Sequence, residues 1–356
     1  MLSELPVPNF FTTALLEKLR RHPKRVVFPE ADDPRVLVAS AELVRHEAIL
    51  PILLGNRAKL KGMAKDLGID MTFIHCIDPT TSSDLPVFCE RYIRTESIRG
   101  FKVVNAESVV TMPHQFAAMM VQYGQADAVV SGNLAHATIG YRALLQRIKP
   151  QPGVPAPFGA MVLVDDAREG DERVLILADC GIHVDPSPEQ LAAIAVHSGI
   201  LARHITGRRA KVAMLSHSTK GNAVSPSSLR VSAGTALARE KVDAFALEID
   251  IEGEIQADVA LSPAIAAQKT ETSLLHGEAD VLVFPSLDAA DIAVRLLRHL
   301  AGYRTYGQIV LGLARPAAQL PRSATIEQIF GTALAVGVEA VKYHDIYPHG
   351  ETDEVW

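Results

Sequence analysis

Hydroxyl, lysine and glycine residues crowd one short stretch, Ser216-His217-Ser218-Thr219-Lys220-Gly221-Asn222, directly after the apolar run Lys211–Leu215. Oxyanions bind where hydroxyls and backbone N–H groups converge at a helix start, and a lysine adds a point charge. The GxxxxGK[ST] spacing of a nucleotide-binding loop is missing. The same residues also make an ordinary polar turn closed by a capping serine. A second candidate is Ser131-Gly132-Asn133, which leads to Tyr141-Arg142. Arginine grips an oxyanion with two parallel N–H groups, although a solvated arginine on a helix looks the same in sequence. In a third stretch, Pro285–Asp291, Asp288 either faces a ligand or caps the next helix, and Asp291 suits a first helical turn. The fourth runs from Pro316 to Gln328. Arg322 is its strong anion ligand, and Thr325-Ile326-Glu327-Gln328 has capping-box spacing.

Other chemistries find no support. The chain has 13 histidines but no HxxxH, HExxH or Cys/His cluster, so no metal site is expected. There is no GxSxG elbow, and no GxGxxG turn follows the first strand. Cys76, Cys89 and Cys180 form no CxxC pair, and their odd number suits a reducing compartment. A net charge of −6 with mixed signs offers no basic stripe for nucleic acid, though a local basic cleft still accepts an anion. The start, MLSELPVPNFFTTALLEKLRR, lacks a basic region followed by a long apolar run. Nowhere do about 18 apolar residues run together, as a membrane span requires. The expectation is a cytoplasmic protein with no membrane partner.

These loops need a scaffold. With 356 residues, 48% of them apolar, the chain is too long for one core and suits two domains. Short β-branched runs alternate with amphipathic stretches. Strands are expected at Arg25–Phe28, Pro51–Leu54, Met71–Ile77, Ala126–Val130, Phe158–Val164, Val174–Ala178, Lys211–Leu215, Ala244–Ile249, Val281–Phe284 and Ile309–Leu313. Helices are expected at Pro34–Arg45 and Arg57–Leu67 and between most later strands. Ser187, Pro188 and Gln190 spell a helix start with a capping box. The rhythm implies an α/β fold with parallel-type sheets flanked by helices. The proline-dense segment from Pro150 to Pro157 marks a domain boundary. The tail after His344 is polar and aromatic-tipped and should be loosely held. In open parallel sheets ligands bind beyond the carboxyl ends of strands, where the four candidate loops fall.

Taken together, several segments resemble the phosphate acetyl/butyryltransferase family. They are KRVVFPEADDPRV (24–36), GQADAVVSG (124–132) with Arg142 to Lys149, LADCGIHVDPSPEQLAAIA (177–195), VAMLSHSTKG (212–221), EGEIQADVAL (252–261), VLVFPSLDAADIA (281–293) and VLGLARP (310–316). They follow the family's order and spacing from about residue 24 to about 340. The resemblance implies two α/β domains with an active-site cleft between them, an architecture like isocitrate or isopropylmalate dehydrogenase. Domain I would be 1–151 completed by 317–356, and domain II 152–316. It also implies a homodimer and a reversible reaction of acetyl-CoA with inorganic phosphate, giving acetyl phosphate and coenzyme A. No cofactor enters; coenzyme A is a substrate. Residue by residue, Arg142 matches a phosphate ligand, with Ser131 and Gly132 in its turn. Ser216, Ser218, Thr219, Lys220 and Gly221 match the loop beside the substrate, and Arg322 matches an arginine that contacts it. Arg94 or Arg99 stands for a further family arginine without its spacing.

Departures cluster in the same segments. Pro321 replaces a serine, and Gln328 stands where the family has an acid, the proposed thiol base. Asp288 and Asp291 replace two asparagines, and Ala135-His136-Ala137-Thr138 replaces a histidine-hydroxyl pattern. Glu327 or His217 is then an alternative base. The resemblance is compatible with an active phosphate acyltransferase, with an acyltransferase of different acyl group or acceptor, and with a non-catalytic acetyl-CoA sensor like the terminal domain of long malic enzymes. A decarboxylating dehydrogenase of the same architecture is disfavoured, because its metal-binding aspartate cluster is not evident.

Overall fold

The computed structural model describes residues 5–167, 172–270 and 272–346. The tail from 347 onward lies outside them. Eleven strands occur among the described residues: β1 (Lys24–Phe28), β2 (Ile49–Leu54), β3 (His75–Ile77), β4 (Ala128–Ser131), β5 (Phe158–Asp165), β6 (Arg173–Ala178), β7 (Ala210–Leu215), β8 (Ile249–Ile255), β9 (Val281–Val283), β10 (Arg304–Leu311) and β11 (Ala317–Gln319). The chain divides into two compact units. One is 1–149 together with the stretch from 313, and the other is 150–312.

In the first unit the strand order is β3-β2-β1-β4-β11, all parallel. Buried on both faces, such strands read as continuous apolar runs, and Val26, Val27 and Phe28 are at most 1% exposed. Pro51 sits in β2 without breaking the ladder, because β3 pairs only with Ile52 to Leu54. The final helix, Ile326–Ile346, supplies Ile329, Phe330, Ala333 and Leu334 to this core and packs against the helices Phe10–Arg21 and Pro34–Arg45. The last segment therefore completes the first unit. Three-residue β11, Ala-Ala-Gln, carries no strand-forming residue and was not expected; parallel pairing with β4 imposes it.

In the second unit the order is β10-β5-β6-β9-β7-β8. The expectation of parallel strands needs correction here. β5 runs antiparallel to both β6 and β10. Residues 166–172 are too few for a crossover, which needs a dozen or more residues, so β5 and β6 can only form a hairpin. A second correction concerns the strand expected at Ala244–Ile249. Ala244 ends the long helix Pro226–Ala244, and Ala246 turns the chain with φ +47°. The strand that follows is Ile249–Ile255, whose buried Glu252 and Glu254 masked its apolar pattern. Ser187 and Gln190 form the expected capping box on the helix Pro188–Thr206.

The chain leaves β1 toward β2 on one side, and β4 returns on the other. Strand order thus reverses between β1 and β4, the place where open sheets bind ligands. Glu30, just past β1 and 7% exposed, bridges this point. Its Oε2 accepts the N–H of Gly132 at 2.6 Å and that of Asn133, while Oε1 accepts those of Ala135 at 2.6 Å and Leu134 at 3.2 Å. His114 Nε2 lies 3.3 Å from Oε1. Burial pushes the Glu30 carboxyl up, but the neighbouring His114 ring and the hydrogen bonds from the loop N–H groups outweigh it and hold the group down to about 2, from an ordinary 4.5.

A carboxyl with a depressed folded-state pKa stabilises the fold above its unfolded value, and that stability fades as pH falls toward the folded value. Glu30→Gln replaces an acceptor with a donor facing N–H groups and should cost about 3 kcal/mol at pH 7. In urea titrations the gap between parent and variant should be full above pH 4.5 and narrow as pH falls toward 2. A gap constant from pH 7 to pH 3 would remove Glu30 as the ionised anchor.

Candidate active site

Three loops lie at the carboxyl ends of neighbouring strands in the first unit: 29–33 after β1, 131–136 after β4 and 320–325 after β11. Packing between them is tight. Gly132 has φ +109°, and a Cβ there would lie 2.0 Å from the Leu320 carbonyl oxygen, so only glycine fits. Gly140 likewise leaves room for Gln319, whose Oε1 would be 1.8 Å from an added Cβ. That Oε1 accepts the Ser131 hydroxyl at 2.7 Å, and the Leu320 N–H donates to the Ser131 carbonyl at 2.6 Å.

Arg35 ties the loops together. Asp33 caps the helix Pro34–Arg45 and holds the Arg35 guanidinium, with Nη2 2.6 Å from Oδ2. Arg35 Nη1 donates to the carbonyls of Arg322 at 3.1 Å and Ala324 at 2.6 Å, and Nη2 donates to the carbonyl of Asn133 at 3.0 Å. The backbone carrying Arg322 is thereby fixed beside the loop carrying Ser131 and Gly132. Sequence reasoning passed over Glu30, Asp33 and Arg35. Their signal lay in the segment 24–36, noted for its resemblance and given no role.

Arg322 and Arg142 are both exposed, and neither side chain has a partner among the described residues. Arg142 stands on the helix Ala137–Arg147 that follows the Gly132 loop. Gln328 is 7% exposed, its Oε1 accepting the Thr325 N–H at 3.0 Å and its own N–H donating to Thr325 Oγ1 at 3.2 Å. It therefore closes the N-terminus of the final helix, as the capping-box spacing suggested. Glu327 beside it is partly exposed. Arg99 contacts Glu96 and the Gln146 carbonyl, whereas Arg94 is exposed.

In the second unit, Ser216 to Asn222 form a loop after β7 with most of its polar groups satisfied internally. Ser218 is fully buried, with Oγ 2.9 Å from Glu254 Oε1 and 3.2 Å from Asn222 Oδ1, and it accepts the Ala223 N–H. Gly221 N–H donates to the same Glu254 oxygen at 2.7 Å. Thr219 Oγ1 pairs with Gln256, and the Ser216 Oγ accepts the Ser218 N–H at 3.2 Å. Lys220 has φ +50°, a left-handed conformation costing a residue with a Cβ roughly 1 kcal/mol. Its Nζ reaches the Thr272 carbonyl and pairs with Glu252 Oε1 at 2.8 Å. Burial opposes ionisation of Glu252, which is 1% exposed, yet the Lys220 contact and the Leu275 N–H keep its carboxyl below the ordinary range. His217 is exposed. Lys220, Gly221, Arg239, Glu252 and Glu254 line a cavity of about 760 Å³ within this unit.

Asp288 follows the short loop after β9, the parallel neighbour of β7. It is exposed and lies in the first turn of the helix Leu287–Leu300. Its expected capping role belongs instead to Ser286, whose side chain accepts the Ala289 N–H. Asp291 pairs with Arg295 at 2.7 Å. Asp179 repeats the arrangement of Glu30: its carboxylate accepts the N–H groups of Gly159, Gly181, Ile182 and His183 at 2.7–3.1 Å. The three cysteines are free. Among the described residues no group of three or more His, Cys, Asp or Glu side chains is placed to hold a metal ion, and no helix is long and apolar enough to cross a membrane.

Comparison with known proteins bears on this geometry. The family model described as Phosphate acetyl/butaryl transferase matches residues 10–336. A phosphate acetyltransferase of Staphylococcus epidermidis is 34% identical over 332 residues, covering 93% of this chain and 98% of the relative. Among solved structures, the EutD phosphotransacetylase from Staphylococcus aureus superposes with a TM-score of 0.84 at 34% identity, over 93% of this chain and 98% of that one. A phosphotransacetylase from Streptococcus pyogenes gives a TM-score of 0.85 at 29% identity, with the same coverage. The match spans both units and every loop described above, and the chain belongs to the phosphate acetyl/butaryl transferase family.

Proposed function

We propose that this chain is an acyltransferase that moves an acetyl or other short acyl group reversibly between coenzyme A and inorganic phosphate. The observation that carries the reading is the family match from residue 10 to 336, together with two exposed arginines, Arg322 on the loop after β11 and Arg142 on the helix after the Gly132 loop. A phosphate oxygen attacks the thioester carbonyl carbon, the new C–O bond forms, the C–S bond breaks, and coenzyme A leaves as a thiolate that takes up a proton. Arg322 and Arg142 hold the phosphate, and Ser131 and Gly132 shape the turn beside it. Positioning the two reactants supplies much of the acceleration in such a reaction. Ser218 and its neighbours Ser216, Thr219, Lys220 and Gly221 shape a loop that lines the acyl-CoA side, and Asp288 stands in the first turn of the helix that follows the adjoining strand. A cleft shared by the two units, a homodimeric assembly, a cytoplasmic setting and a reaction without a cofactor belong to the same reading and rest on the resemblance.

Gln328 has no ionisable proton, and its amide is engaged in the helix cap. In the direction that consumes coenzyme A, the thiol must then ionise without that base. With a thiol pKa of about 8.5, only a few per cent is thiolate at pH 7.

Phosphate-dependent loss of the acetyl-CoA thioester by the purified chain is the direct assay, repeated with propionyl- and butyryl-CoA. Saturable acetyl-CoA binding with no turnover of any of the three would leave a sensor and not an enzyme. Arg322→Ala and Arg142→Ala should each raise the KM for phosphate tenfold or more, since a charge-assisted contact contributes about 1.5–3 kcal/mol. Unchanged kinetics in both variants would remove these site assignments. Gln328→Glu keeps the capping box and should change kcat less than about threefold. Rates in the thiol-consuming direction should climb toward about pH 8.5 in parent and variant alike. A tenfold gain for the variant at pH 6.5 would show that the new carboxylate reaches the thiol.

A further inference from the structure

We infer that Asn133 is a phosphate-binding residue, its carboxamide Nδ2 donating to a substrate oxygen beside Arg322; the inference rests on the function proposed above. Asn133 is 2% exposed and stands at the carboxyl end of β4, where strand order reverses. Its backbone is fully engaged, the N–H by Glu30 Oε2 and the carbonyl by Arg35 Nη2. The side-chain Nδ2 is buried and has no hydrogen-bond partner among the described residues. A buried amide donor left unpaired costs about 1–3 kcal/mol, and native folds pair nearly all such groups. Arg35 holds the backbone carbonyls of Asn133 and Arg322 on one guanidinium, so the backbones that carry the unpaired donor and the exposed arginine share an anchor. Arginine supplies charge. A carboxamide supplies a directed donor that adds no charge to a turn already holding Glu30. The Glu30 carboxylate does not compete for Nδ2, because its oxygens accept four backbone N–H groups and its charge is offset by Arg35.

The test uses the full chain with Asn133→Asp, which keeps the shape but loses the donor and adds a repelling charge, and with Asn133→Ser, which is smaller. Two readouts are taken. The first is the rise in melting temperature caused by inorganic phosphate, which needs no turnover and so stands even if the acyl-transfer reading fails. The second is the KM for phosphate in the thioester assay. Phosphate should raise the melting temperature of the parent, and roughly tenfold weaker binding should cut that rise sharply in both variants. The KM for phosphate should increase about tenfold while the KM for acetyl-CoA stays within twofold. Equal phosphate-induced shifts in parent and both variants would overturn the inference and leave Nδ2 to a trapped water. A fall in kcat with no change in phosphate KM would also overturn it, since the donor would then serve the carbonyl and not the phosphate. Should a variant melt far below the parent without phosphate, the other decides by the same criteria.

Discussion

Buried carboxylates that take up backbone N–H groups are the interaction on which both halves of this molecule depend. Loops that leave parallel strands carry N–H groups with no ladder partner, and consecutive N–H groups in a turn form a concavity that attracts an anion. Here the protein fills two such concavities with its own side chains. Glu30 takes four N–H groups from residues 132–135, and Asp179 takes those of Gly159 and of 181–183. Glu252 and Glu254 do related work around Lys220 and Gly221. Acids that sequence patterning would assign to solvent or to proton transfer thus hold loop shape from inside.

That arrangement gives the two units unequal parts in the proposed reaction. The Ser218 hydroxyl and the Lys220 ammonium are engaged by glutamates of β8, which leaves little of the loop's polar capacity for a ligand. Arg142 and Arg322 in the first unit have no such partner among the described residues. In the proposed reaction the charge for an oxyanion would therefore come from the first unit. The departures fall in the loop before the final helix, at Pro321, and in that helix's first turn, at Gln328. There Gln328 works as a cap, a role that an amide fills as well as an acid does.

Much of the scaffold was legible in the sequence because its signals are local. The capping box at Ser187 and Gln190, the helix Pro34–Arg45 and the apolar strands β1 and β7 are each set by neighbours a few positions apart. Features fixed by distant partners were not legible. The run Ala244–Ile249 read as a strand because short apolar runs fit either type, and β8 hid behind its acids. β11 exists only because β4 offers it a ladder. In the site, the four loops stood out by residue type, but what their side chains do did not. Ser218 meets Glu254 thirty-six positions away, and Arg35 meets Ala324 at a separation of 289. No spacing rule reaches that far.

The return of the last segment to the first unit has a consequence for synthesis on the ribosome. Residues 150–312 form a continuous unit and are complete in chain when residue 312 has been made. The first unit is not, although most of it is translated earlier. Its β4 has only β1 beside it until β11 emerges, and its core lacks Ile329, Phe330 and Leu334 until the final helix follows. Domains generally fold as units during translation, so the middle of this polypeptide is ready to fold before its beginning. For that interval β4 is an uncovered strand edge and Ser131 lacks its contacts with Gln319 and Leu320, a period in which a holding chaperone has its natural target.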